Sequence, residues 1–159
     1  MIYSSADQNF EVSISEQIVE AIRAIIKSAN GLETGGILIG RYSPDHKTAI
    51  INHITGPPKD SKAGSTWFVR GVKGLETLLK RFWSKNEYYL GEWHYHPNAS
   101  ASPSMQDISQ MKEISRSIHY QCPEPVLLII GGDYNEYEIR VFVSVKNYKL
   151  IKLKTATLE

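Results

Sequence analysis

Five consecutive apolar residues, Val126-Leu127-Leu128-Ile129-Ile130, lie between Pro125 and Gly131-Gly132 with no polar position among them. A strand with one face in water alternates polar and apolar side chains, so an unbroken run of this length reads as the central strand of a sheet. Such a strand needs elements to cover it, and the chain supplies three amphipathic segments. Ile18, Val19, Ile22, Ile25 and Ile26 recur at helical spacing, Ser13 with Glu16 resembles a capping box, and Asn30-Gly31 offers a left-handed stop, which predicts a helix over 14–30. Leu75, Leu78, Leu79 and Phe82 predict a second helix over 71–84. Ile108, Met111, Ile114 and Ile118 predict a third over 104–118.

Between these helices lie further strand candidates. Gly35–Tyr42 and Lys47–Thr55 flank Ser43-Pro44-Asp45-His46, a good turn sequence, and Tyr88–His96 is aromatic and unbroken until Pro97. Thr66–Val69 is a short strand candidate; Tyr137–Val145 and Tyr148–Lys154 form a candidate hairpin bending at Lys146-Asn147. The stretch Gly56–Ser65 is polar and rich in Gly and Pro and reads as an exposed loop. Three helices among six or seven strands imply an α/β fold, a mixed β-sheet flanked by helices. With 159 residues and no repeat or linker, residues 1–159 read as one domain.

Bulk properties exclude several classes of function. A formal net charge of +1 gives no electrostatic reason to expect nucleic acid or an anionic membrane as partner. No apolar run approaches the roughly 20 residues that span a bilayer, and the opening MIYSSADQNF has neither the basic nor the apolar region of a signal peptide, so the expected location is cytoplasmic. The single cysteine, Cys122, rules out an internal disulfide and reads as a small buried hydrophobe rather than a nucleophile.

The segment that carries chemistry is Gly91–Asp107, GEWHYHPNASASPSMQD. Side chains at i and i+2 of a strand share a face, so His94 and His96 project side by side and can bind one metal ion. Asp107, in the first turn of the following helix, can fold back over the strand end as a third ligand. Two histidines and one carboxylate leave a tetrahedral position open for water, which is the pattern of a catalytic zinc. Each residue also has a structural reading. A lone His-x-His is weak, and Ser104 with Asp107 fits an ordinary capping box. The readings are compatible, because a residue of the first turn can both favour the helix and ligate.

Read together, His94-Tyr95-His96-Pro97, six residues, Ser104, two residues and Asp107 resemble without gap the signature of the JAMM metallopeptidases, also called the MPN-plus or JAB family. The family places a glutamate just before an upstream strand, and Glu33 in ETGGILIG matches that context. Residue type and spacing alone do not single out Glu33 among the carboxylates. The resemblance implies a JAMM/MPN-type fold, zinc held by His94, His96 and Asp107, Glu33 as general base, and Ser104 as hydrogen-bond donor to the oxyanion. Tyr95 departs from the Ser or Thr common between the histidines; it points to the opposite face. Glu92 shares the His94 face and is the second choice for a carboxylate role, with an outer or surface position expected.

Members of the family hydrolyse the bond after the C-terminus of ubiquitin or a ubiquitin-like protein. The compact length and the wording GEWHYHP look most like the stand-alone bacterial branch, which includes peptidases of anti-phage CBASS systems. These release a nucleotidyltransferase conjugated through its C-terminal tail. The resemblance therefore implies such a tail as substrate, bound by strand addition, with the Gly56–Ser65 loop mobile until the tail orders it. A peptidase that matures a sulfur-carrier protein and a non-catalytic MPN scaffold are the alternatives; the scaffold is disfavoured because none of the five positions is missing.

Overall fold

A computed structural model describes residues 1–145 and 149–156. The elements are β1 (Ile2–Ser4), β2 (Glu11–Ile14), α1 (Glu16–Ser28), β3 (Thr34–Tyr42), β4 (Thr48–Ile54), β5 (Lys62–Ala63), β6 (Phe68–Val69), α2 (Leu75–Trp83), β7 (Tyr88–Pro97), α3 (Met105–Arg116), β8 (Val126–Gly132), β9 (Tyr137–Val145) and β10 (Lys149–Thr155). The bend expected at Lys146-Asn147 lies outside the described residues. Eight strands pair in the order β1-β10-β9-β8-β7-β3-β4-β2, and β2 returns to β1, so the sheet closes into a barrel. Two of its pairings, β2 with β4 and β7 with β8, are parallel, which makes the sheet mixed. This is the small α/β fold anticipated, with the sheet curled far enough to close.

The apolar run of β8 is central as expected. Its alternate residues feed two separate cores: Val126, Leu128 and Ile130 join one, Leu127 and Ile129 the other. The first core draws residues from all eight barrel strands and from α1, which packs Ile18, Val19, Ile22 and Ile26 against the inner face. The second, on the outer face, is covered by Leu75 of α2 and by Met111 and Ile114 of α3. Full burial of one such side chain contributes about 1.5–3 kcal/mol, so these two cores rather than local propensity hold the helices in place.

Local details depart from expectation where pairing competes with pattern. Ser15, not Ser13, caps α1, accepting from the Ile18 amide at 3.3 Å; Ser13 is drawn into β2, where it pairs with Ile2 and Ile50. Asn30 and Gly31 do take positive φ after the helix. Ile118 falls beyond α3 and is 81% exposed. The Gly56–Ser65 stretch is less loose than its composition suggests. Its β5 pairs with β6, Asp60 accepts from the amides of Val72 and Lys73, and Ser61 Oγ accepts from that of Gly71.

In β7 an extra residue bulges between Tyr89 and Gly91 where β3 passes directly from Ile39 to Leu38. Gly91 takes φ +153 there, and a Cβ on it would meet the Val126 carbonyl oxygen at 1.9 Å. The bulge resets the alternation so that Tyr89, Glu92, His94 and His96 all face the side covered by α2 and α3.

Candidate metal centre

Strand β7 and the N-terminus of α3 meet at three buried side chains. His94, His96 and Asp107 are 3%, 7% and 5% exposed, and their ligand atoms lie within 4.8 Å of one another. His94 Nδ1 is 2.7 Å from Asp107 Oδ1, and His96 Nε2 is 3.3 Å from Asp107 Oδ2. The carboxylate is aimed by its own helix. Ser104 Oγ accepts from the Asp107 amide at 3.1 Å, while Asp107 Oδ2 accepts from the Ser104 amide at 2.7 Å, a complete capping box. Histidine 96 is aimed by the loop that follows β7, its Nδ1 lying 3.3 Å from the Ser100 carbonyl oxygen. That loop is pinned in turn by Glu138 of β9, which accepts from the Ala101 amide at 3.0 Å.

The donor set fits a cation. A carbonyl oxygen can only accept, so the proton of neutral His96 sits on Nδ1 and its Nε2 turns a lone pair towards Asp107 Oδ2. Two lone-pair-bearing atoms face each other at 3.3 Å, an arrangement that needs a proton or a metal ion between them. His94 Nε2 is buried without a hydrogen-bond partner, at a desolvation cost a ligated ion would remove. Burial pushes Asp107 up, but the hydrogen bonds from His94 and from protonated His96 prevail and hold it far below the usual carboxylate range. Burial pushes His96 down, yet the hydrogen bond and charge of Asp107 and the charge of Glu33 raise it overall. Imidazole nitrogens and a carboxylate oxygen suit a divalent transition metal.

Glu33 lies immediately before β3, which pairs with β7 so that Thr34 opposes Tyr95 and Gly35 opposes His94. The carboxyl group is half-buried and its pKa is raised, chiefly by burial and then by the Asp107 charge, with His96 and His94 opposing. The close passage of the two strands is set by Gly35, where a Cβ would meet the Trp93 carbonyl oxygen at 2.4 Å and His94 Cδ2 at 3.0 Å. Ser104 is exposed at the rim, and because its Oγ accepts the cap bond, its O–H stays free to donate. The structure therefore brings Glu33, His94, His96, Ser104 and Asp107 to one end of β7.

Glu92 is neither at the surface nor free. It is 0% exposed, accepts from Tyr89 Oη at 2.6 Å, and pairs with Arg70 Nε at 2.6 Å. Arg70, Tyr89, Ser100 and Glu138 carry no signal in the sequence that ties them to this region, since each meets its partner through pairing or packing between distant segments.

The chain is similar over most of its length to several known proteins. Residues 15–145 match the family of prokaryotic homologs of the JAB domain. A CD-NTase/cGAS isopeptidase of Enterobacter hormaechei is 42% identical over 96% of this chain and 85% of its own length. A probable metalloprotease of Sinorhizobium fredii is 29% identical over 75% of this chain and 74% of its own. The solution structure of the Desulfitobacterium hafniense protein DSY2949 shares the fold, with a TM-score of 0.65 over 89% of this chain and 88% of that one at 19% identity. Among the described residues no helix is long and apolar enough to cross a membrane. With a family match over most of its length, and with a buried His-His-Asp cluster that could hold a metal ion, the chain belongs to the prokaryotic JAB family, the bacterial branch of the JAMM-type hydrolases.

Proposed function

We propose that this chain is a zinc-dependent isopeptidase that cuts after the C-terminal tail of a ubiquitin-like protein or of a conjugated nucleotidyltransferase, reversing conjugation in a CBASS-type anti-phage system. Residues 1–159 act as one domain, and the partner is a protein tail rather than nucleic acid or membrane. The observation that carries the reading is the buried convergence of His94, His96 and Asp107, whose ligand atoms lie within 4.8 Å of one another, with His94 Nε2 left without a hydrogen-bond partner. The names of the Enterobacter, Pseudomonas aeruginosa and Escherichia coli relatives, each a CD-NTase/cGAS isopeptidase, support the choice of substrate over a sulfur-carrier protein.

In this reading His94, His96 and Asp107 hold zinc. Bound by these three residues, zinc would supply Lewis acidity and a water more acidic than in bulk near neutral pH. Glu33 takes the proton from the attacking water and delivers it to the departing amine, and its raised pKa suits a group that must both accept and give a proton. The Ser104 hydroxyl donates to the oxygen on which negative charge develops. The substrate tail lies extended along the β5–β6 hairpin, whose Gly64 carbonyl accepts from the Glu33 amide at 2.9 Å and so fixes the hairpin beside the base.

The test is cleavage of a nucleotidyltransferase or ubiquitin-like protein fused through its C-terminus to a reporter. Wild-type protein containing about one zinc per chain should cut at the junction, and chelation should abolish cutting until zinc is restored. Protein that purifies with zinc yet leaves every such tail intact would remove the substrate assignment.

A further inference from the structure

Among the described residues the most deeply buried ion pair joins Arg70, just after β6, to Glu92 of β7, with side chains 2% and 0% exposed. Neither residue belongs to the metal cluster. Withdrawing two charges from water is costly, and replacing such a pair by apolar side chains is often neutral or stabilising, so stability alone is a poor account of it. The pair is fully engaged. Arg70 Nε and Tyr89 Oη each donate to one oxygen of Glu92 at 2.6 Å. Arg70 Nη1 donates to the Gly71 carbonyl at 2.7 Å, and Nη2 donates to Tyr120 Oη.

The placement of the pair is its informative property. Glu92 lies two residues before His94 on the same face of β7, so the acid, the two histidines and the metal they can hold form one row. Arg70 ends the β5–β6 hairpin. Two residues earlier, the rings of Phe68 and His94 meet edge to face, with centroids 5.8 Å apart and planes at 78°. The hairpin thus meets the histidine-bearing strand at Phe68 on His94 and at Arg70 on Glu92, and it meets the base through Gly64 and Glu33. A planar guanidinium with several fixed donors holds such a junction in one geometry, which a single-point ammonium does not.

We propose that Arg70 is a positioning residue: through Glu92 it locks the β5–β6 hairpin to the strand that carries His94 and His96, and so sets where an extended substrate tail lies relative to the reacting bond. The proposal rests on the reading that this hairpin receives the tail.

Two variants test it, Arg70→Met/Glu92→Gln, which removes both charges together, and Arg70→Lys, which keeps the charge but loses the fork to Tyr120 and Gly71. Zinc content, kcat and KM on the tail-fused substrate, and amide exchange of residues 62–69 without substrate are measured for each. In the double variant, zinc stays at about one per chain and kcat within about threefold, while KM rises on the order of tenfold. Amides of the hairpin exchange about tenfold faster, because the lock that protects them is gone. The lysine variant falls between the two. Wild-type KM in both variants overturns the proposal, and so does a loss of zinc and kcat at unchanged KM, which would make the pair a support of the strand alone. Should the double variant not fold, Arg70→Lys decides by the same two readouts. If the wild-type protein cuts no tail, the substrate reading has failed, and exchange of residues 62–69 still reports whether Arg70 holds the hairpin.

Discussion

Ser104 and Asp107 satisfy each other's backbone amides, at 3.1 and 2.7 Å, and the same Asp107 carboxylate faces both histidines. The cap therefore fixes the third side chain of the candidate metal site, and helix stability and metal affinity are coupled through one residue. Asp107→Asn keeps an acceptor for the Ser104 amide and loses the charge. It should lose zinc and the charge contact with His96 that steadies the metal-free protein, whereas Asp107→Ala should cost about a further 1 kcal/mol for the lost cap. Zinc content with thermal unfolding of metal-free proteins distinguishes the two; equal zinc in Asp107→Asn and wild type would separate the cap from the site.

Glu33→Gln should retain zinc and fold normally, because Glu33 is not part of the His-His-Asp cluster. Its kcat should fall by about 10²–10⁴, the usual scale for a lost general base. Ser104→Ala should cost on the order of 10²–10³ in kcat and also loosen α3, whose cap it supplies. Steady-state kinetics at matched zinc content check both. Undiminished turnover in Glu33→Gln would require another base.

The pH dependence of the metal-free protein follows from His96 and Asp107. His96 is raised above its ordinary 6.5, so its contribution to stability is complete below that value and is lost as pH rises through the folded pKa. Asp107 is depressed below 3.8, so its contribution is present above that value and disappears only in stronger acid. Metal-free protein should therefore lose stability as pH rises above the ordinary histidine value of about 6.5. Zinc-loaded protein should not, since metal binding favours neutral imidazole and tightens as protons leave. Denaturant melts of both forms from neutral to alkaline pH check it, and a metal-free protein that gains stability along that path would contradict the assigned His96–Asp107 contact.

Gly35→Ala should be severe although it adds one carbon. The new Cβ would press on the Trp93 carbonyl oxygen and on the rings of Phe68 and His94, of which only the rings can yield. A loss of about 1–3 kcal/mol is expected, with weakened zinc binding, because the pairing of β3 with β7 holds His94 in place. Thermal unfolding and zinc titration report the two effects.

Cys122 should take no part in catalysis. It is 3% exposed, and burial pushes its thiol up to about 12. Thiol reagents should leave the folded protein unlabelled and fully active, then label one site per chain after unfolding; inhibition that tracks labelling of the native protein would reopen a role for the thiol.

Local pattern made much of this protein legible before its fold was known. Period and punctuation placed α1, α2, α3 and the β8 run, because they report which face of a segment is apolar and where the backbone must stop. The spacing from His94 to Asp107 placed three candidate ligands, because two strand neighbours and a first-turn residue converge through short-range geometry. Tertiary pairing decided the rest. Ser13 entered β2 and left the cap to Ser15, the bulge at Gly91 brought Tyr89 to the Glu92 face, and β2 and β8 found parallel partners. Glu33 and Arg70 reached the site across spans of 61 and 22 residues from His94 and Glu92 respectively. No local periodicity encodes such meetings: they exist only when distant strands share hydrogen bonds and a common core, so the spacing of the three candidate ligands could be read from the chain, Glu33 only through its resemblance to a family motif, and the buried ion pair not at all.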